Sequence, residues 1–216
     1  NGALMIVNPA GIAFVTTDGH RLVLVEHDVA LEGIEEEIRV LIPKKTLVEL
    51  GRLSQDSESG HVSFAHTDNH IFFKVNDRKL VSRVLTGQFP NYEMVIPKDC
   101  AHEVIVNSAE FAGCLKRTSI MADEESKAVL FDIQQDQMEI TAVSSDFGEA
   151  RDFIAVEFGG EPFQIGFNAQ YILDFLSGLN SEKVTLRLND QKKQGLFVPH
   201  NLENFRLQYV VMPLKN

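Results

Sequence analysis

Cysteine is scarce in this chain. Cys100 and Cys114 are the only two in 216 residues, and no Cys/His cluster surrounds either. That excludes a disulfide framework and a structural zinc site, and leaves both thiols as passive groups. Long apolar runs are also missing. No stretch of about 18 apolar residues offers a membrane span, and the amino terminus lacks the basic-then-apolar pattern of a secretory signal. The expected compartment is the cytoplasm, with no membrane partner, no metal and no cofactor. Positive charge is the third shortage. The chain has 20 Lys and Arg against 31 Asp and Glu, a formal net charge of −11. Gripping nucleic acid over a whole surface requires clustered cations, so any DNA contact must be local or topological. The acidity is shared, with 10 basic and 14 acidic residues in 1–100 and 10 and 17 in 101–216.

With 44% hydrophobic residues, the chain can bury one large core or two small ones. Strand patterns dominate. Ala3–Val7 and Ile12–Val15 flank Asn8-Pro9-Ala10-Gly11 and read as a β-hairpin. Further strands are predicted at Leu22–Glu26, Glu37–Ile42, His61–Ala65, Ile71–Val75 and Lys79–Leu85. Between them, Pro43 marks a helix start, and Leu47, Leu50 and Leu53 recur at helical spacing before the polar Ser54–Gly60 loop. Beyond Pro97-Lys98-Asp99, a strand at Glu103–Val106 leads to a helix over about Ser108–Met121, capped by Asn107 or Ser108. Val129–Ile133 and Met138–Ala142 form a second hairpin around Gln134–Gln137. Phe163–Phe167 then runs into a helix capped by Asn168, with Tyr171, Ile172, Phe175 and Leu176 on its apolar face. Strands at Val184–Leu188, Gly195–Val198 and Gln208–Met212 follow.

The halves repeat each other. Leu4–Val15 resembles Leu130–Thr141, Ile42–Leu50 aligns with Phe167–Phe175, and Met94–Pro97 aligns with Val210–Pro213. Three matches in one order indicate duplication. The first copy has no counterpart of the Ser108–Met121 helix, so the chain is expected to be truncated at its amino terminus.

Thr17-Asp18-Gly19-His20-Arg21-Leu22, Gln88-Phe89-Pro90-Asn91-Tyr92 and Tyr209-Val210-Val211-Met212-Pro213-Leu214 carry a resemblance. So does Ile165-Gly166-Phe167-Asn168 followed by Tyr171. The chain resembles the β subunit of bacterial DNA polymerase III, the sliding-clamp family, in order across essentially its whole length. The resemblance implies an α+β DNA-clamp fold, with repeated domains of antiparallel sheet and helices on one face. Residues 1–100 would be the middle clamp domain without its opening helix and strand, and 101–216 the last domain, with the first domain absent. In the family, two subunits of three such domains close into a homodimer ring around duplex DNA. The implied function is that of a non-catalytic processivity factor. It would tether the polymerase III α subunit, the clamp loader, other polymerases and repair proteins through short peptide motifs.

By the same resemblance the partner pocket draws on Thr17, Gly19, His20, Arg21, Leu22, Pro90, Val95, Val210, Met212, Pro213 and Leu214, with Asn168 and Tyr171 at its rim. Such a set pairs an apolar floor with groups that orient a polar peptide. Read without the resemblance, Val210–Leu214 is a core strand and Thr17–Arg21 a strand-ending turn. Family members often end in Arg-Leu after this motif, whereas this chain ends Lys215-Asn216. Lys44, Lys45 and Lys127 match DNA-facing positions, with Lys116 and Arg117 as further candidates; a solvated surface charge is the plainer reading of each. Asp123-Glu124-Glu125 is more acidic than the family's usual loop. Ile120 and Met121 match apolar subunit-interface positions, and at helical spacing they equally suit a core.

Two rival functions remain. An enzyme would be built on Asp18 and His20, or on His66 and His70 as metal ligands. No nucleophile or third ligand is placed by the sequence, however, and the two histidines flank a Thr-Asp-Asn turn. A peptide-binding scaffold working without DNA encirclement would keep the pocket and lose the ring.

Overall fold

The structure, a computed structural model, describes residues 2–55, 57, 60–145 and 148–214. By their contacts the described residues form two units. The first holds residues up to Thr17 and Leu24–Tyr92, and the second Asp18–Val23 and the residues from Glu93 on.

Strands β1 (Gly2–Asn8), β2 (Gly11–Thr17), β3 (Arg21–Asp28) and β4 (Ile38–Pro43) lie in the order β3-β2-β1-β4, all in the first unit except residues 21–23 of β3. The turn predicted at Asn8–Gly11 forms, with the Asn8 side chain accepting from the Ala10 amide at 2.9 Å. Helix α1 (Lys44–Gln55) packs on β1, β4 and a second sheet, β5 (Ser63–His66), β6 (His70–Val75) and β7 (Arg78–Arg83). Met5, Val7, Val40, Ile42, Ile71 and Phe73 form the core beneath it. The sequence placed Pro43 at the start of this helix. It instead closes β4, opposite Gly2, and the helix begins at Lys44. A proline lacks only an amide that a first-turn residue leaves unpaired, so it fits this junction.

The second unit contains β8 (His102–Asn107), α2 (Ser108–Thr118), β9 (Ala128–Gln134), β10 (Gln137–Ser144) and β11 (Gly148–Glu157). These are followed by β12 (Phe163–Asn168), α3 (Ala169–Ser177), β13 (Lys183–Leu188), β14 (Gly195–Pro199) and β15 (Arg206–Val211). The antiparallel order is β12-β9-β10-β11-β8-β13-β14-β15, with α2 packed on α3 and on β8, β10 and β11. Helix α2 is capped by Asn107, whose side chain accepts from the amides of Ala109 and Glu110 at 3.0 Å each. Removing such a cap costs about 1 kcal/mol. The helix ends at Thr118, and Ser119–Met121 tighten into a 3-10 turn, which shortens the predicted element.

The expected mainly antiparallel α+β architecture holds, and the duplication reappears as shared register. Leu4 faces Val15 and Met5 faces Phe14, as Leu130 faces Thr141 and Phe131 faces Ile140. Leu4 also faces Leu41, as Leu130 faces Gly166. Strands β4-β1-β2 and β12-β9-β10 are therefore the same ladder built twice.

The second core is threaded by aromatic rings. Phe111, Phe131, Phe167 and Phe197 follow one another at centroid distances of 5.6, 5.6 and 5.7 Å, and Phe175 stacks on Tyr209 at 4.5 Å and 6°. Full burial of one such side chain contributes about 1.5–3 kcal/mol. The chain of rings fixes α3 against β14 and β15, and so places the residues that α3 carries on its rim.

Candidate functional site

A tight turn opens the site. The Asp18 carboxylate accepts from the amides of His20 and Arg21, both at 3.0 Å, and Gly19 sits at φ +90°, a left-handed conformation that favours glycine. The same carboxylate takes the Arg21 Nε at 3.1 Å. Asp18 thus accepts three hydrogen bonds within its own turn. Burial works against its charge, but these hydrogen bonds outweigh that and hold its pKa below the usual value. Such a carboxylate is a structural anchor of the turn, its hydrogen bonds going to the His20 and Arg21 amides and to the Arg21 side chain. His66 and His70 flank a hairpin turn, as the sequence indicated, and no cluster of three metal-ligating side chains occurs among the described residues.

From that turn Arg21 reaches helix α3. Its NH1 donates to Asp174 at 2.7 Å, and the guanidinium carbon lies 4.4 Å from the centroid of the Tyr171 ring. Gln170 donates to the other oxygen of Asp174 at 2.7 Å, and Asn168 caps the helix through the amides of Gln170 and Tyr171. The cap was legible in the sequence; the role of Asp174 was not. The available signal was spacing, since Asp174 lies three residues beyond Tyr171 and so on the same helix face. Burial opposes the charge of Arg21, and the hydrogen bonds to Asp174, Tyr209 and Asp18 raise its pKa despite that. Burial likewise opposes charge on Asp174, and Arg21 and Gln170 together lower its pKa. With the two carboxylates 47% and 45% exposed, these pairs add little stability; they hold one guanidinium flat on one ring.

Tyr209 underlies the platform. Its hydroxyl donates to the Tyr171 carbonyl at 2.8 Å, and burial pushes its pKa up to about 12. After β15 the backbone stays tied at two points: the Met212 amide donates to the His20 carbonyl at 2.8 Å and the Leu214 amide to the Gly166 carbonyl at 2.9 Å. Met212 is 39% exposed, while Val210 and Leu22 are 1% and 2% exposed and belong to the core. Pro213 and Leu214 are half-buried, and His20 and Gly19 are exposed. The second unit therefore gathers His20, Arg21, Tyr171 and Met212 around a cationic group seated on an aromatic ring. An extended peptide could lay apolar side chains beside Met212 and Tyr171 and present polar groups to Arg21. Val95 is half-buried in this unit, and its carbonyl accepts from Gln194 at 2.8 Å. Thr17, half-buried, and Pro90, exposed, lie in the first unit. Lys215 and Asn216 lie outside the described residues.

The candidate cations differ in their surroundings. Lys44 and Lys45 are exposed in the first turn of α1, a turn with no acidic residue. Cations at a helix amino terminus oppose the helix dipole at about 0.3–1 kcal/mol each. Lys127 sits at φ +50° and is half-buried, its amide bonded to the Asp123 carbonyl and its carbonyl to the Ala169 amide, both at 2.9 Å. Lys116 is exposed, whereas Arg117 is tied to Asp152 at 2.6 Å. In the acidic loop, Asp123 accepts from the Ser126 amide at 2.9 Å and from the Glu125 amide at 3.2 Å. Ile120 stands 77% exposed and Met121 is half-buried. Cys114 is buried and its pKa is raised by burial to about 12, which keeps it a thiol.

Comparison with known proteins adds a separate line. Residues 93–215 match the family model of the DNA polymerase III beta subunit, C-terminal domain, and residues 1–91 match that of its central domain. Among curated proteins, the beta sliding clamp of Pseudomonas putida is 33% identical over 215 residues, covering 100% of this chain and 58% of its own length. That of Synechocystis is 31% identical over 217 residues, covering 94% of this chain and 55% of its own. The crystal structure of the DNA polymerase III subunit beta from Pseudomonas aeruginosa superposes with a TM-score of 0.93 at 29% identity, over 100% of this chain and 58% of that one. A sliding clamp from the same organism bound to griselimycin gives 0.92 at 28% identity, over 100% and 57%. The chain thus spans a little over half the length of the relatives it matches.

Proposed function

The chain belongs to the DNA polymerase III beta subunit family, and from that premise we propose that it works as part of a sliding clamp. On this reading the protein is a non-catalytic, cytoplasmic processivity factor that holds replication and repair proteins on duplex DNA. Residues 1–100 correspond to the middle clamp domain and 101–216 to the last. The observation that carries the reading is the Arg21 guanidinium seated on the Tyr171 ring, with Met212 beside it on a backbone bonded to His20. A partner's short motif, a Gln followed by Leu and Phe anchors, would bind there, its apolar side chains against Met212, Pro213 and Leu214 and its polar end toward Arg21 and His20. Two anchors at about 1.5–3 kcal/mol each, less the loss from ordering the peptide, give weak and exchangeable binding. Partners of this class are the polymerase III α subunit, the clamp loader and other polymerases.

The same reading gives Lys44, Lys45 and Lys127 to the phosphate backbone and Ile120 and Met121 to a subunit interface in a homodimer ring. Among the described residues neither lysine forms an ion pair, and both oppose the helix dipole, which favours a clamp over a scaffold acting away from DNA. Fluorescence anisotropy with a labelled Gln-Leu-Phe-type peptide provides the test. Saturable binding that weakens about tenfold or more in Met212→Ala, a loss of roughly 1.4 kcal/mol, supports the reading. A folded chain that binds no such peptide contradicts it.

A further inference from the structure

The three-stranded sheet of the first unit has an outward face that the clamp function leaves unused. Its pleat buries Ile71, Phe73 and Val75 and turns His70, Phe72 and Lys74 the other way. The pairing register carries that alternation across the sheet, setting Ala65 opposite Phe72, Phe72 opposite Val81, and Lys74 opposite Lys79. Phe72 is 38% and Val81 55% exposed, large apolar groups at the centre of a solvent face. Around them is a hollow of about 270 Å³ lined by Ser63, Ala65, Phe72, Lys74, Lys79 and Val81.

The ionic side chains that β6 and β7 turn to this face, Lys74, Lys79 and Arg83, are all cationic. Lys74 pairs with Lys79 across the strands, like charges that destabilise a sheet, and Arg83 lies on the same face. Among the described residues no carboxylate forms an ion pair with Lys74, Lys79 or Arg83. The acidic residues nearest in sequence, Asp68 and Asp77, lie in the hairpin turns at the two ends. In a chain of net charge −11, a cationic rim around an apolar centre is a local reversal. We propose that the outward face of β5, β6 and β7 is a docking surface for an acidic peptide segment of a partner protein, carrying one apolar anchor side chain that enters the hollow beside Phe72.

The hollow selects the class of ligand. A nucleobase would bring its rim of donors and acceptors against walls whose polar side-chain groups are one hydroxyl and two ammonium groups, leaving several of its own unpaired. An aliphatic or phenyl side chain has no such groups, and its flanking carboxylates lie within reach of Lys74, Lys79 and Arg83.

The test uses the whole chain and a fluorescein-labelled pentapeptide with one Phe between two pairs of Glu, followed by anisotropy. Saturable binding is expected, weakening as salt rises. Phe72→Ser and the double variant Lys74→Glu/Lys79→Glu should each weaken it at least tenfold, and Met212→Ala should leave it unchanged. The charge-reversed double variant should in turn bind the counterpart with Lys in place of Glu, a gain that misfolding cannot supply. Absence of saturable binding overturns the proposal, as does binding lost in Met212→Ala but kept in Phe72→Ser. A thymidine oligonucleotide bound more tightly than the peptide in a Phe72-dependent way would assign the surface to single-stranded DNA instead.

Discussion

The two helices that follow β4 and β12 begin from the same place in a repeated ladder and then diverge. At α3, Asn168 satisfies two amides and the next turn presents Tyr171 and Asp174, which seat Arg21. At α1, Pro43 supplies no side-chain acceptor and the first turn presents two exposed lysines against the helix dipole. One copy's helix start seats a guanidinium on an aromatic ring, and the other carries two exposed lysines with no acidic residue in the same turn. The duplicated backbone tolerates both because the register, and the core beneath it, do not depend on what the first helical turn displays.

The largest break in this comparison comes from the shared foundation. Phe197→Ala removes the ring that joins Phe167 to Phe175 and Tyr209, and should lower stability by about 3–5 kcal/mol in chemical denaturation. Next comes the platform. Arg21→Lys keeps the charge but loses the fork that spans Asp18 and Asp174 and the flat stacking on Tyr171, so motif-peptide affinity should fall about tenfold with stability changed by less than about 1 kcal/mol. At the two helix starts the variants should move stability in opposite directions. Asn168→Ala should destabilise by about 1 kcal/mol, while Lys44→Glu/Lys45→Glu should stabilise by about 0.3–1 kcal/mol per site at low salt. The lysine variant should at the same time flatten the salt dependence of duplex DNA binding by about 0.9 in log–log slope for each phosphate it no longer neutralises. If instead it loses stability and retains the slope, the contrast between the two helices fails.

The smallest effect is on pH. Asp18 and Asp174 have lowered pKa values, so their contribution is complete above the ordinary carboxylate value of 3.8 and fades as the pH drops through their lower folded values. Tyrosine emission, free of tryptophan in this chain, should report a local change around Tyr171 and Tyr209 only below that range. In Asp174→Asn the same change should occur with one titration fewer.

Most of the scaffold was legible from period-2 patterns, turn residues and the repeat itself. Strand β11 was not. Gly148–Glu157 carries Glu149, Arg151, Asp152 and Glu157 with few apolar residues before Ile154, so no strand pattern stands out there. Its charges are tolerated because they pair sideways, Arg151 with Glu149 and Glu139, and Asp152 with Arg117. The candidate site divides the same way. Gly19, Arg21, Asn168 and Tyr171 stand out by resemblance or capping chemistry, whereas Asp174 and Tyr209 act through tertiary interactions that join residues far apart in the chain. Only the fold brings Asp174 across to Arg21, 153 positions away.

On the proposed reading, a replication partner's peptide sits on the Arg21–Tyr171 platform beside Met212. Methionine-methyl and amide NMR spectra, recorded while the Gln-Leu-Phe-type peptide is titrated into this chain, test it most directly. Saturable shifts of the Met212 methyl and of the His20, Arg21 and Tyr171 amides are expected, with the Met138 methyl in the core unmoved. Saturable binding that leaves Met212 and Tyr171 unshifted would contradict it.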